Sequence, residues 1–200
     1  MGRRADFYRK TAETEVKVAI ALDDSGKRTK SQPDIATSIP FFDHMLVLFS
    51  RHGFFDLSVT GQGDISIDYH HLVEDIGICL GEAVKKALGD KKGITRYGAA
   101  SVPMDESLCH VALDISGRPY LVYNAEFDQK KIGDFDPNLL QEFFKAFSDH
   151  SELTLHINLL YGNNNHHKAE AIFKAFARAL SRAVAINPRV KGVLSTKETL

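Results

Sequence analysis

Two hydrophobic patterns alternate along the chain. In six stretches apolar and polar residues alternate, which is the period of a β-strand with one buried face. In four others apolar residues recur at spacings of three and four, as in an amphipathic helix. The predicted strands cover residues 15–23, 55–61, 64–70, 108–116, 119–127 and 153–162, and the predicted helices cover residues 40–51, 71–88, 137–148 and 167–184.

The order of these elements repeats. The segment ALDDSGK (21–27) matches ALDISGR (112–118) after 91 residues, and His52 matches His150 after 98. A His-His-x-x-Glu pattern at 70–74 returns 96 residues later. Coincidence among common patterns is the alternative. We predict an internal duplication, with halves at roughly 10–90 and 105–185, that packs sheets on helices in two layers around a pseudo-twofold axis.

Composition narrows the classes of function. The 200 residues have a formal net charge of −1, which gives no general attraction for nucleic acid or an anionic membrane. No apolar run of about 18 residues predicts a membrane span, and no apolar stretch follows the basic N-terminus as in a secretory signal. Cys79 and Cys109 lie in apolar runs outside any CxxC pair, which is typical of reduced, buried thiols. We expect a cytoplasmic protein.

The duplicated histidines are the main chemical signal. Each His-His-x-x-Glu pattern lies where a predicted strand gives way to a helix. Residues three apart share a helix face, so His71 and Glu74 can hold one ion together and His70 is placed for a second. His70 is also four residues from Glu74, so the opposite pairing stays open. The same alternatives apply to His166, His167 and Glu170.

A twofold relation between the halves predicts that the patterns exchange ligands. One metal ion would take His71, Glu74 and His166, and the other would take the remaining three. Imidazole and carboxylate together suit Mn, Fe, Zn or Co, and a structural zinc cluster is disfavoured without thiolate ligands. Isolated histidines are more often hydrogen-bonded core residues. The repeat adds two further candidate ligands, His44 and Glu142, which are related by a shift of 98 residues.

These residues lie in motifs that resemble one enzyme family, the imidazoleglycerol-phosphate dehydratases. The similar segments follow the order of the family and cover nearly the whole chain. They are PFFDHML with RHGFFDL, DYHHLVEDIGICLGEA, RYG with VPMDESL and DISGRPYL, LHINLLYGNNNHHKAEAIFKAFARAL, and the closing GVLSTKETL.

The resemblance implies a fold, an assembly and a metal centre. The fold would be an α/β (α+β) two-layer sandwich of the ribosomal protein S5 domain 2-like kind, duplicated in tandem, with half-repeats at 1–104 and 105–200. The latter would include a C-terminal phosphate-binding tail. Members assemble into hollow particles of 24 subunits, with two Mn²⁺ ions in each active site between subunits. By the family pattern, one ion is held by His44, His71, Glu74 and His166, and the other by His70, Glu142, His167 and Glu170.

The resemblance also implies the reaction. Imidazole glycerol phosphate would lose water to give imidazole acetol phosphate, in histidine biosynthesis. The two metals would act as Lewis acids on a bound imidazolate ring. Catalytic roles would fall on Glu13, His52 and Glu170, and the metal ligands His44, His70, His71, Glu74 and His166 would also contact the substrate. Its phosphate would be bound by Arg96, Arg118, Lys174, Ser195, Thr196 and Lys197.

Considered singly, several of these residues have ordinary structural explanations. Glu13 could be a surface carboxylate, Arg118 a solvated charge in a turn, and Lys174 the partner of Glu170 in an i,i+4 salt bridge. Three other functions also fit part of the pattern. These are a dinuclear metallohydrolase, which usually relies on Asp, a metal-storage shell, and a nucleic-acid module, which would need a basic stripe. Metal-dependent turnover of the phosphorylated imidazole separates the dehydratase from the first two.

Overall fold

The computed structural model describes residues 2–23 and 33–197 of the chain. Within them one series of elements occurs twice: three strands, a helix, a fourth strand and a second helix. The first series is β1 (Arg4–Lys10), β2 (Thr14–Ala21), β3 (Asp34–Ala36), α1 (Pro40–Gly53), β4 (Asp56–Gly63) and α2 (His70–Leu88). The second is β5 (Tyr97–Met104), β6 (Ser107–Asp114), β7 (Tyr120–Asn124), α3 (Leu139–Ser151), β8 (Thr154–Tyr161) and α4 (Asn165–Val184).

Each series forms its own four-stranded mixed sheet. The strand orders are β1-β2-β4-β3 and β5-β6-β8-β7, and only β3 and β7 run parallel to their neighbours. The register is the same in both sheets, since the pair Arg4–Ala21 coincides with Tyr97–Asp114 after a shift of 93 residues. The predicted duplication and the α+β fold class are therefore confirmed.

Helices cover one face of each sheet and join the halves. Helix α2 packs on β1 and β2, and α4 packs on β5 and β6. Across the pseudo-twofold axis, α2 meets α3 and α1 meets α4. The shared core is rich in phenylalanine because side chains from three of the four helices meet there: Phe42, Phe49, Phe143, Phe147, Phe173 and Phe176. No helix among the described residues is long and apolar enough to cross a membrane.

The predicted strand at 64–70 is wrong. Residues 65–67 form a turn, and the side chains of Ile65 and Ile67 are exposed, at 38% and 72%. The alternation there has no sheet to join, because β4 ends at Gly63 and already has β2 and β3 on its two sides. The other predicted strands and all four predicted helices are present with small changes at their ends. The structure adds β1, β3 and β5, which the pattern did not predict.

The division into half-repeats at 104/105 stays a prediction, and it would fall between the paired strands β5 and β6. One other sequence expectation differs from the structure. The match of ALDDSGK to ALDISGR is out of register, because it aligns Ala21 with Ala112 whereas the sheets align Ala21 with Asp114. Residues 24–27 of that segment lie outside the described part of the chain.

Candidate active site

One cluster of potential ligands forms where α1 meets the start of α4. Glu170 Oε1 lies 3.1 Å from His44 Nε2 and 3.0 Å from His166 Nε2. One ligand atom from each of these residues lies within 4.8 Å of the others, close enough to hold one metal ion. The Asn164 side chain caps α4 by accepting hydrogen bonds from the backbone N–H groups of His166 and His167. This cap fixes both histidines in the first turn.

Glu170 is ionised in this cluster. Burial favours a higher pKa, but hydrogen bonds from Lys174 and His44 outweigh it and hold the pKa at about 2. The Lys174 Nζ atom lies 2.5 Å from Glu170 Oε2, which leaves Oε1 directed at the two histidines. A buried anion with one oxygen facing imidazole nitrogens is suited to a divalent cation.

A second cluster surrounds His71 at the start of α2. Its Nδ1 atom lies 3.0 Å from Asp64 Oδ2 and 3.7 Å from Glu13 Oε2. The hydrogen bond to Asp64 raises the pKa of His71, and the charge of Glu13 adds to the effect. Asp64 directly follows β4 and Glu13 directly precedes β2, so the sheet brings both carboxylates to the helix terminus.

The hairpin that carries Glu13 is attached to α2 by a buried carboxylate. Asp75 accepts a hydrogen bond from the Thr14 hydroxyl and another, of 2.8 Å, from Arg9 Nε. Thr14 and Asp75 are both buried. Glu13 itself keeps 58% of its side chain exposed. The turn is therefore fixed while its carboxylate is free to meet a ligand.

His167 has a similar carboxylate partner in the second half. Glu106 Oε2 lies 2.7 Å from His167 Nδ1, and Asp105 Oδ2 lies 3.8 Å from Nε2. The hydrogen bond raises the pKa of His167 and, with two backbone N–H groups, holds that of Glu106 far below its usual range. An open cleft of about 650 Å³ lies beside His166 and His167, a volume typical of small-molecule sites. Glu106, Lys130 and Asn163 are among its lining residues.

In the structure each glutamate of the repeated pattern lies nearest the first histidine of its pair. Glu170 contacts His166, and Glu74 Oε2 lies 4.0 Å from His70 Nε2, both at the i,i+4 spacing. This is the alternative pairing rather than the i,i+3 pairing of His71 with Glu74. Within the described chain, Glu142 belongs to neither three-residue cluster. Six of the eight predicted ligands thus lie at the starts of α2 and α4, His44 lies on α1 and Glu142 on α3, and the eight do not meet at a single point.

Four of the six predicted phosphate-binding residues lie together, and Arg118 and Lys174 each lie elsewhere. Arg96 makes a bidentate pair with Asp114, at 2.7 and 3.0 Å, and donates from Nη1 to the Leu194 carbonyl at 2.6 Å. It therefore anchors the segment with Ser195, Thr196 and Lys197, where the Lys197 N–H donates to Ser195 Oγ at 3.1 Å. Arg118 lies apart, in the turn after β6.

Lys174 lies on α4 and acts electrostatically on His52. Burial lowers the pKa of His52, and the charges of Lys174 and Arg178 lower it further. The histidine is thus favoured as a neutral ring.

Sequence reasoning did not single out Asp64, Glu106 or Arg178. Glu106 lies in a turn 61 residues from His167, and only the fold makes the two neighbours. Asp64 lies seven residues before His71, in the segment that joins β4 to α2. The available signal was a carboxylate beside a predicted strand, in GDIS (63–66) and in MDES (104–107).

Comparison with known proteins identifies the family. The sequence profile of the imidazoleglycerol-phosphate dehydratase family matches residues 37–180. The chain belongs to this family. Its members are dehydratases of histidine biosynthesis, and the motifs that resemble the family in sequence lie on the elements described above.

Relatives of similar length extend the match over the whole chain. The imidazoleglycerol-phosphate dehydratase of Syntrophus aciditrophicus is 63% identical over 99% of this chain and 98% of its own. That of Geobacter metallireducens is 55% identical over the full length of both. The crystal structure of the Staphylococcus aureus enzyme has a TM-score of 0.79 at 41% identity and covers 92% of this chain and 99% of its own. The Pyrococcus furiosus enzyme, solved in complex with (S)-C348, has a TM-score of 0.82 at 36% identity, with 97% and 100% covered.

Proposed function

We propose that the chain converts imidazole glycerol phosphate to imidazole acetol phosphate and water, with two Mn²⁺ ions per active site. Other divalent metals could substitute. The protein would act in the cytoplasm as a homo-oligomer of 24 subunits. The observation that carries the proposal is the convergence of His44, His166 and ionised Glu170 on one point, in a chain that belongs to this dehydratase family.

The donor chemistry of the chain fits a divalent metal of this kind. The candidate ligands are imidazoles and carboxylates, which suit Mn²⁺ and its neighbours. Both thiols are buried, and burial raises the pKa of Cys79 and of Cys109 to about 12, so neither is available as a thiolate. This favours a metal bound by nitrogen and oxygen over a thiolate-ligated structural zinc.

The separation of the ligands supports a site shared between subunits. His44 and His166 lie together in one chain, whereas the near partners of His71 are Asp64 and Glu13. A neighbouring copy that presents its own α2 start to this cluster would complete two four-residue sets. By the family pattern these would be His44, His71, Glu74 and His166 for one ion, and His70, Glu142, His167 and Glu170 for the other. Glu170, which lies beside His44 and His166, would then serve the second ion next to the first.

Beyond metal binding, the residues of the chain would transfer protons and bind the substrate. Bound Mn²⁺ would supply Lewis-acid polarisation of the imidazole ring. Glu13, exposed on an anchored turn, would move a proton at the carbon that loses its hydrogen or at the departing hydroxyl. His52 would contact the substrate hydroxyls and Glu170 would orient the ring through the metal. The phosphate would be bound by Arg96, Arg118, Lys174, Ser195, Thr196 and Lys197.

The decisive experiment is an assay on metal-stripped protein with imidazole glycerol phosphate, with and without Mn²⁺. Ketone formation that requires the metal supports the proposal. Absence of turnover with every divalent metal would overturn it in favour of a storage shell or a metallohydrolase. Sedimentation after chelation tests the shared site, because a 24-subunit particle linked through metal should shift to smaller species. His71→Asn should lower both metal content and activity.

A further inference from the structure

The two halves of the chain support their metal-facing histidines with carboxylates from different places. The shift of 96 residues that relates the histidine pairs makes His71 equivalent to His167. The sheet shift of 93 makes Glu13 equivalent to Glu106. Strands β4 and β8, which start at Asp56 and Thr154, are related by 98 residues, so Asp64 is equivalent to Gly162. A symmetric molecule would use equivalent carboxylates, and this one does not.

In the second half Glu106 is the partner and the alternative position is closed. Glu106 Oε2 accepts from His167 Nδ1 at 2.7 Å, while Oε1 accepts from the backbone N–H groups of Asn163 and Asn164 at 3.0 and 2.8 Å. A Cβ atom at Gly162 would lie 2.3 Å from Ser107 Oγ, so no side chain fits there without a shift. The hairpin carboxylate is therefore fully engaged.

In the first half the roles are exchanged. Asp64 Oδ2 lies 3.0 Å from His71 Nδ1, whereas the carboxylate of Glu13 stays at 3.7 Å, beyond a hydrogen bond. The backbone connects the two residues, since the Asp64 N–H donates to the Glu13 carbonyl at 3.2 Å. Asp64 is the more buried, with 20% of its side chain exposed against 58% for Glu13. Glu13 therefore does not hydrogen-bond the histidine of its half, whereas its repeat equivalent Glu106 does.

We infer that Asp64 and Glu106 are positioning residues, which hold Nδ1–H of His71 and of His167 so that each Nε2 faces the metal, and that this exchange releases Glu13 for the substrate. A carboxylate only accepts hydrogen bonds, so its contact puts the proton on Nδ1 and leaves the Nε2 lone pair free. Such partners orient metal-bound histidines and increase their basicity. The inference rests on the proposed metal-dependent function.

The test is a Mn²⁺ titration of the metal-stripped full-length protein, with free Mn²⁺ followed by electron paramagnetic resonance. Asp64→Asn and Glu106→Gln should each weaken Mn²⁺ binding about 10- to 100-fold, the range for loss of such a partner. Asp64→Ala, which removes the acceptor entirely, should weaken it at least as much. Glu82→Gln is the matched control, because Glu82 Oε1 lies 3.1 Å from His150 Nδ1 away from both clusters. It should bind Mn²⁺ like the wild type.

Glu13→Gln separates the two carboxylate roles. It should reduce kcat while Mn²⁺ affinity stays at the wild-type value. Weakening of Mn²⁺ binding equal to that of Asp64→Asn would overturn the exchange of roles. Wild-type affinity in Asp64→Asn, Asp64→Ala and Glu106→Gln, all with normal melting curves, would overturn the inference and leave the function standing. A wild-type protein that neither binds Mn²⁺ nor turns over would instead refute the proposed function.

Discussion

The ends of α1 and α3 are alike in backbone and different in chemistry. Phe54 and Glu152 terminate these helices in the left-handed conformation. The hydroxyls of Ser50 and Ser148 each bond a carbonyl five residues on, at 2.8 Å. His52 and His150 occupy equivalent places just before these termini. Because their local backbone geometry is the same, any difference in function comes from what faces them.

What faces them has diverged. His150 Nδ1 lies 3.1 Å from Glu82 on α2, and the equivalent residue on α4, after the 96-residue shift, is Arg178. His52 therefore meets cations where His150 meets a carboxylate, and burial together with Lys174 and Arg178 lowers its pKa. His150 thus pairs with a carboxylate, whereas His52 lies near two cations, of which Lys174 is itself paired with Glu170. The two helix ends therefore share a backbone geometry and differ in the charged side chain that α2 or α4 presents to the histidine.

The largest effect is expected from His52→Ala. If His52 contacts the substrate beside Lys174, its loss should reduce kcat/KM about 100-fold, the lower end for a positioned proton-transfer group. His150→Ala is the matched variant and should change stability with kcat/KM within about twofold, as for a residue remote from the site. Steady-state assays with Mn²⁺ check both. Equal losses of activity in the two variants would remove the functional difference between the helix ends.

The helix contacts between the halves diverge too, and Gly77→Ala tests this difference. Gly77 on α2 faces α3 so closely that an added Cβ would lie 2.6 Å from the Phe143 carbonyl oxygen, whereas its equivalent on α4 is Phe173. Alanine normally stabilises a helix interior relative to glycine, but here backbone would have to move. We expect a loss of about 2 kcal/mol in unfolding free energy. Denaturant unfolding measures it.

Gly2→Ala is the control for that substitution, because no atom lies within 4 Å of an added Cβ there. It should change the unfolding free energy by no more than about 0.5 kcal/mol. A Gly77→Ala protein as stable as this control would show that α2 and α3 can separate slightly without cost.

A third, smaller effect should distinguish Arg96 from its repeat equivalent, Arg3. Both arginines pair with an aspartate, Arg96 with Asp114 and Arg3 with Asp23. Arg96 also binds the Leu194 carbonyl and so holds the segment with Ser195 and Lys197. Arg96→Ala should raise KM about tenfold through lost phosphate binding, roughly 1.4 kcal/mol.

Arg3→Ala provides the comparison, since Arg3 binds the Val184 carbonyl at 2.6 Å and joins the two halves. The Arg3→Ala substitution should lower the free energy of unfolding and leave KM unchanged. A KM for Arg96→Ala within twofold of the wild type would exclude the C-terminal segment from phosphate binding.

Much of the fold was predictable because the hydrophobic residues of most strands and helices recur with the period of their secondary structure. The buried faces of β2, β6 and β8 alternate clearly, and α2 and α4 bury long apolar stripes. The edge strands β1 and β5 were missed because one carries charged residues along its length and the other small residues and a proline. Ile65 and Ile67 led to a false strand prediction. Alternating apolar and polar residues form a strand only where a sheet edge is free to pair with them, and β4 has no free edge.

The site was predictable only in part. Residue identity and spacing picked out both histidine pairs and, through the repeat, His44 with Glu142. Neither the i,i+4 pairing of His166 with Glu170 nor the carboxylates Asp64 and Glu106 could be read from spacing. The spacing fits both pairings within one helix, and the two carboxylates reach their histidines only because of the turns after β4 and between β5 and β6.

The smallest expected effect is on the pH dependence of stability. The pKa of His52 is lowered in the folded protein, chiefly by burial, from an unfolded value near 6.5. As pH falls below 6.5, the unfolded chain takes up this proton more readily than the folded one, so the folded state loses stability until the folded pKa is passed. His71 and His167 act in the opposite direction in metal-free protein, because their pKa values are raised. Comparison with His52→Gln isolates the contribution of His52: between pH 7 and 5 the variant should lose less unfolding free energy than the wild type. An identical pH profile would mean that neither burial nor the nearby cations lower the pKa of His52 in the folded protein.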